Sequence, residues 1–481
     1  MPVKKSFYAY LLSGIGVLFS LTVVFSCNKN DITDTNSNHK LTFSNDTVLF
    51  DTVFTSVGSS IRALMVYNKN PLKLKISSIR LARGANSPFR LNIDGSPALS
   101  LNDVDIAGKD SMYIFVKVTI NPNNANDPLI QSDSILFETN GNLQCVRLVA
   151  WGQDAHFYND VTLKKNTVLT NDKPHVIYGN LTIDSLYTLT IQPGARIYFH
   201  HNSSLYVHRN ATLKVNGTLD QPVTFQGDRL EDFYNDIPSQ WGEIWMQAGS
   251  TDNEISYAII KNGTIGLQVD SVTNSSNPTL RLSNTTINNM GEAGLLAEDA
   301  WVKAANCVIG NCGVSTVYLN KGGNYDFRHC TMGNFWMYNV RNTPSLVLNN
   351  YSINNNGDPI PYNLTNAYFG NCVIYGNEFE EIMLDKKDIA LFNYKFENCL
   401  FRTQLNISDP IYYSNCKKNK DPLFVDYTTF NLQPDTLSPL IKAGSYEVLN
   451  GSWIDLSRDI KGNSRISEFP PDLGAYQRIE R

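Results

Sequence analysis

Charge is what this chain has least of. Charged residues fill only 18% of its 481 positions, and Lys and Arg (40) do not outnumber Asp and Glu (45), leaving a formal charge of -5. Without a basic field nothing holds a phosphate backbone, which argues against nucleic acid as a partner. Metal-binding cysteine spacing is also missing. Beyond Cys27 the cysteines are Cys145, Cys307, Cys312, Cys330, Cys372, Cys399 and Cys416, with no C-x-x-C pair among them, so no metal site is expected from them. What the sequence does have is 42% hydrophobic residues, with 24 Tyr and 23 Phe, set among Asn, Thr and Ser. That composition can bury a core and is not that of a disordered tail. It suits strands and tight turns, and the length predicts two or three domains. The expected class is all-β.

The first 26 residues have the parts of an export signal: Lys4 and Lys5, then an apolar run from Tyr8 to Phe25, then a small residue, Ser26, before Cys27. The run is long enough to span a bilayer, so an uncleaved anchor and plain secretion stay open. Val24-Phe25-Ser26-Cys27 resembles the lipobox of bacterial lipoproteins. The resemblance implies that residues 1–26 are removed and that Cys27 is acylated. It also implies a membrane partner reached through the lipid, at the outer membrane or cell surface. Residues 27–40, polar and without period, read as a tether.

Residues 41–154 carry seven or eight short alternating runs broken by turns such as Asn68-Lys69-Asn70-Pro71, the pattern of a β-sandwich. The segment resembles the immunoglobulin-like modules placed between an anchor and a working domain, although Cys145 has no partner Cys. No nucleophile, base or metal ligand clusters there, so a spacer is expected, with protein binding as the alternative.

Beyond Asp154 a repeat takes over. The segments ISYAII, LSNTTI, AANCVI, FRHCTM, FGNCVI and FENCLF end at Ile260, Ile287, Ile309, Met332, Ile374 and Phe401, in steps of 27, 22, 23, 42 and 27. The step of 42 reads as two coils. Two residues before each end stand Ala258, Thr285, Cys307, Cys330, Cys372 and Cys399. Asn284, Asn306, His329, Asn371 and Asn398 precede the last five of these. A fixed period with like residues at like places predicts stacked coils. Residues two apart share a face, so the Cys and aliphatic columns point inward, Cys serving as a small hydrophobe. The Asn column sits at a bend that needs left-handed backbone.

This pattern, with the opening LTIQPGARIYF, NATLKVNGTLDQPVTFQG and Trp241-Gly242, resembles the right-handed parallel β-helix, pectate-lyase-like superfamily. The resemblance covers residues 155–430. Residues 431–481, with Asp472-Leu473-Gly474-Ala475-Tyr476, are similar to the closing segment of bacterial surface β-helix proteins, and a cap over the open end of the solenoid is expected.

The resemblance implies an active groove along one exposed strand face. A second strand follows each ladder aliphatic by about eight residues. Its outward positions read Asp270, Glu298, Asn320, Arg341, one unassigned coil, then Asp385. Asp270 and Glu298 would suit calcium, with Arg341 or Lys386 as base, in a polysaccharide lyase; two such carboxylates would equally suit glycoside hydrolysis. Against hydrolysis, the superfamily's hydrolase strings (Asp-Asp, Gly-His-Gly) are missing from the repeat. Outward polar residues also need no chemistry to explain them. Trp241 and Trp245, which follow the acidic loop of Asp228, Glu231, Asp232 and Asp236, are candidates for stacking on sugar, with Asn320 and Tyr338. Trp241 also reads as a packed turn residue. No metal is expected at His200, His201 and His208, and no cofactor, with calcium the exception for a lyase. The expected function is binding at the groove, of carbohydrate, without turnover. An enzyme of acidic polysaccharide and a structural or adhesive surface protein remain alternatives. Oligomeric state and any pairing of Cys312 with Cys416 stay open.

Overall fold

The computed structural model describes residues 32–479 apart from 56, 123–128, 272–275 and 467–468. The export signal and Cys27 lie outside these. The chain forms two compact units, Met1–Asp154 and Ala155–Arg481.

The first unit holds two sheets. One contains Thr47–Phe54, Lys73–Leu81, Ser100–Ile106, Leu129–Thr139 and Asn142–Gln153, and the other Arg62–Asn68, Phe89–Ile93 and Asp110–Val118. Alternate residues of both sheets, among them Phe50, Ile76, Phe137 and Leu148 from one and Leu64, Phe89 and Ile114 from the other, share one buried core, as period-two strands require. The expected tether is shorter than its composition suggests. Thr33–Asp34 pairs in parallel with Lys73–Leu74. Asp34 is buried, accepting from the Asn36 backbone N–H (2.9 Å) and pairing with His39 Nδ1 (2.5 Å). Local turn bonds by Asp and Asn therefore order this polar stretch.

The second unit is a stack of coils whose strands form long parallel ladders, a β-helix-like arrangement. Three strands make each coil. The first ladder runs Ala258–Lys261, Thr286–Met290, Val308–Cys312, Thr331–Asn334, Val373–Gly376. The second runs Ile244–Met246, Ile265–Val269, Ala293–Glu298, Ser315–Asn320, Leu346–Asn349, Ile382–Asp385. The third runs Asn253–Ser256, Leu280–Ser283, Trp301–Ala305, Gly323–Arg328, Leu364–Gly370, Lys395–Glu397. Inward residues of all three form one continuous core.

The Cys column lies inside that core, and no thiol among the described residues is in a disulfide, Cys312 and Cys416 included. Each ladder thiol donates to a backbone carbonyl, as Cys307 does to Ala305 (3.2 Å) and Cys372 to Gly370 (3.3 Å). Burial holds the Cys307 and Cys372 thiols well above their ordinary pKa, which suits packing and not reactivity. At the corner before each of them φ is positive: 48° at Asn284, 57° at Asn306, 49° at His329, 52° at Asn371 and 48° at Asn398. The side chains bond along the stack, Asn306 Nδ2 to Asn284 Oδ1 at 2.9 Å and Asn371 Nδ2 to His329 Nε2 at 2.8 Å.

Two expectations are corrected. The step of 42 is one long coil, because Thr331–Asn334 pairs directly with Val373–Gly376. The extra residues are the loop 335–345 and a hairpin of Tyr351–Ile353 with Pro359–Pro361. The tail 431–481 does not reach the interior core. It lies lengthwise along the outward side of the first ladder, burying Leu432 and Ala475 with Val308, and Leu440 and Leu473 with Val373 and Leu400. The reason lies in the outward residues of these coils, which apart from Thr331 are apolar or glycine. A Cβ on Gly310 would come 2.5 Å from Phe430 Cε2, and one on Gly333 2.4 Å from Leu432 Cδ1. The Asp-Leu-Gly-Ala-Tyr string docks on the asparagine corner. Gly474 N–H donates to Asn371 O (2.7 Å), Ala475 N–H donates to Thr331 Oγ1 (3.0 Å), and Gly474 O accepts from His329 Nδ1 (3.2 Å). Arg465 locks this contact. It is fully buried and donates to Asn306 Oδ1 (2.7 Å), Arg458 O (2.8 Å) and Gly474 O (3.2 Å).

Candidate functional site

The outward side of the second ladder carries two adjacent columns, set by register. The first is Tyr206, Trp245, Gln268, Leu296, Tyr318, Val347 and Met383. The second lies two residues further along each strand: Asp270, Glu298, Asn320, Asn349 and Asp385. Rings and apolar side chains thus run beside carboxylates and amides over successive coils, about 4.8 Å apart.

Each carboxylate is held by its neighbours. Asp270 accepts from Trp245 Nε1 (2.7 Å) and Gln268 Nε2 (3.1 Å). Glu298 accepts from Asn320 Nδ2 (2.8 Å) and Lys321 Nζ (2.7 Å). Asp385 accepts from Tyr351 Oη (2.9 Å) and Asn349 Nδ2 (3.3 Å), so the hairpin beyond Asn349 folds back over that end. The Trp245 and Tyr206 rings meet edge to face with centroids 5.7 Å apart, a geometry that fixes both platforms.

The predicted residues divide. Asp270, Glu298, Asn320, Asp385 and Trp245 share this face. Arg341 does not: the loop 335–345 interrupts the coil, and Leu346–Asn349 is the strand there. Arg341 is buried and paired with Glu381, itself fully buried, at 2.6 and 2.9 Å. Val340 beside it is 82% exposed, and Leu346 and Leu348 fill the core. Lys386, the other proposed base, is exposed and pairs with Asp388 at 3.1 Å, which raises its pKa. Trp241 is also corrected. It is 1% exposed, stacks on Phe199 at 4.3 Å and donates Nε1–H to Lys261 O (2.9 Å), so it is core and offers no ring to a ligand. Tyr338 is half-exposed but belongs to the loop 335–345, where its hydroxyl donates to Asp236 O. Cys27 lies outside the described residues.

The histidines do have carboxylate neighbours: His200 Nδ1 lies 2.8 Å from Asp228 and His208 Nδ1 3.8 Å from Asp184. These are pairs, and among the described residues no group of three or more metal-ligating side chains comes together.

Sequence reasoning missed Glu243. It opens the Ile244–Met246 strand just after the Trp241-Gly242 turn, and its carboxyl is pushed up to about 7, first by burial and then by the charges of Asp270 and Glu292. The turn itself was the available signal, since it sets where the strand begins. A carboxyl whose pKa is raised to near neutrality differs chemically from an ordinary surface carboxylate.

No family model and no curated protein matches this sequence. Among solved structures, the catalytic unit of a thermostable GH87 α-1,3-glucanase from Streptomyces thermodiastaticus strain HF3-3 is similar over 74% of this chain and 89% of its own, at 10% identity and a TM-score of 0.23. A family 123 glycoside hydrolase from Clostridium perfringens is similar over 27% of this chain and 30% of its own, at 7% identity and 0.19. A protein of unknown function from Porphyromonas gingivalis W83 is similar over 27% and 59%, at 12% identity and 0.18.

Proposed function

We propose that this chain is a surface lipoprotein, anchored through Cys27, whose right-handed parallel β-helix binds carbohydrate on its second ladder without turning it over. The first unit, read as an immunoglobulin-like sandwich, would stand between lipid and binder. The observation that carries the reading is the pair of columns. Tyr206, Trp245 and Tyr318 offer ring faces and edges to the apolar faces of sugars. Beside them Asp270, Glu298 and Asn320 offer acceptors and amides to hydroxyls. Their existing hydrogen bonds hold them in place for that task.

The test mixes the full-length chain with neutral and acidic polysaccharides, with and without calcium, following both retention on the polymer and chain shortening. Retention without product, weakened at least tenfold by Trp245→Ala, is expected. Silence in both assays turns the reading toward a structural or adhesive role.

One observation favours hydrolysis as the second reading. The Glu243 carboxyl is pushed up to about 7, by burial and then by Asp270, and a raised acid near a second carboxylate is what glycoside cleavage uses. Chain shortening that is lost in both Glu243→Gln and Asp270→Ala would establish it and overturn binding without turnover.

A further inference from the structure

A concave site lies where the first ladder turns toward the second, and three loops meet over it. It is a cavity of about 430 Å³, within the range that holds a small organic ligand. Its floor is made of amides: Asn288 from the strand, then Asn289 and Asn311 from the next corner, at φ of 57° and 49°. Its walls are aromatic. Phe335 and Trp336 are nearly buried and Tyr338 is half-exposed, while Phe430 closes the side formed by the tail.

The loops are tied to that floor and to one another. Asn289 Nδ2 donates to Asp236 O at 3.4 Å, Phe335 N–H donates to Asn311 Oδ1 at 3.3 Å, and the Tyr338 hydroxyl donates to Asp236 O. The Trp336 and Tyr338 rings sit 4.9 Å apart, with Trp336 Nε1 donating to Asn339 Oδ1 at 2.7 Å. The Phe335 ring stacks on Tyr427 at 4.6 Å. The walls are therefore fixed before any ligand arrives, which lowers the ordering cost of binding.

Charge selects the ligand class. Asp236 is the one acidic side chain in the lining, which holds no Lys, Arg or His. A uronic acid or a sulfated sugar would meet a carboxylate and no cation. A neutral sugar suits the lining, its C–H face on a ring and its hydroxyls on side-chain amides, which donate and accept at once. We propose that this cavity is a binding site for a neutral oligosaccharide, separate from the second-ladder face and independent of that reading.

Met337, on the rim and 65% exposed, gives a local readout. The full-length chain is oxidised mildly with and without cellohexaose, laminarihexaose, mannohexaose or hexagalacturonate, and sulfoxide at Met337 is measured. At least one neutral hexasaccharide should protect Met337 saturably. Tyr338→Ala and Asn288→Ala should each raise the midpoint about tenfold or more. Hexagalacturonate should protect poorly or not at all. The proposal is overturned if no neutral sugar protects Met337, if protection persists at the same midpoint in both variants, or if hexagalacturonate protects as well. Should Tyr338→Ala melt early, Asn288→Ala decides. Because Met337 does not lie on the second ladder, these outcomes are read separately from the fate of Trp245.

Discussion

The first and second ladders are built on the same coils, yet their outward sides have opposite fates. On the first ladder, outward Val308, Gly310, Gly333, Val373 and Leu400 lie under the tail. On the second, outward Tyr206, Trp245, Asp270, Glu298 and Tyr318 are left half-buried, and Asp270 and Glu298 have polar partners of their own. Coil geometry is common to both, so it decides neither outcome. The outward residue types do. Apolar and glycine positions recruit a covering segment, because apolar area gains by leaving water and only glycine lets the tail come that close. Rings set beside carboxylates make a surface that stays open.

The comparison can be broken most severely inside the long coil. Arg341→Met should destabilise the second unit by about 3–5 kcal/mol, since it leaves Glu381 buried without its partner. Arg341→Met with Glu381→Met should recover much of that loss in chemical denaturation. An outward, functional Arg341 would show a stability change within about 0.5 kcal/mol.

Next in size is the clamp on the covered side. Arg465→Met strands Asn306 Oδ1 and removes one of the two donors to each of Arg458 O and Gly474 O, at a cost of about 2–3 kcal/mol. Limited proteolysis should then cut within 431–481 before it cuts the coils.

A smaller perturbation tests close approach. Gly333→Val places a Cβ 2.4 Å from Leu432 Cδ1 and should cost about 1–3 kcal/mol by overpacking, with the same early cleavage of the tail. Cleavage unchanged from the parent would mean that the tail does not depend on that contact.

Legibility in the sequence divides along the same line. The inward Cys and aliphatic columns and the left-handed Asn corner were readable, because one residue type recurs where the backbone demands it. Asp270, Glu298, Asn320 and Asp385 were placed on a common face by period two. Arg341 was misplaced because an insertion preserves hydrophobicity without preserving register: Tyr338 and Val340 alternate with Asn339 and Arg341 as in a strand but lie exposed in a loop. The covered side was missed since Gly310, Gly333 and Val373 look ordinary until a distant segment is known to touch them. Glu243 was missed because its burial and its charged neighbours come from different coils.

The smallest expected effect is a change of slope. The Glu243 carboxyl keeps its proton up to about 7 in the folded chain, whereas an unfolded Glu loses it near 4.3. The folded state thus binds the extra proton between those values, and stability falls as pH rises through that window. Glu243→Gln should flatten the fall, melting about 2 °C above the parent at pH 8 after allowing for solvent screening. Parallel melting curves for parent and variant across pH 4 to 8 would mean that Glu243 is not strained by its neighbours.

The central claim is that the open second-ladder face is where this protein meets its ligand. Hydroxyl-radical footprinting of the full-length chain, with and without a retained polysaccharide, tests it most directly. The account predicts polymer-dependent protection of Tyr206, Trp245 and Tyr318 together, and little change at Tyr375 and Tyr476, which pack with the tail on the covered side. Retention with no protection along the Tyr206–Tyr318 column would contradict it.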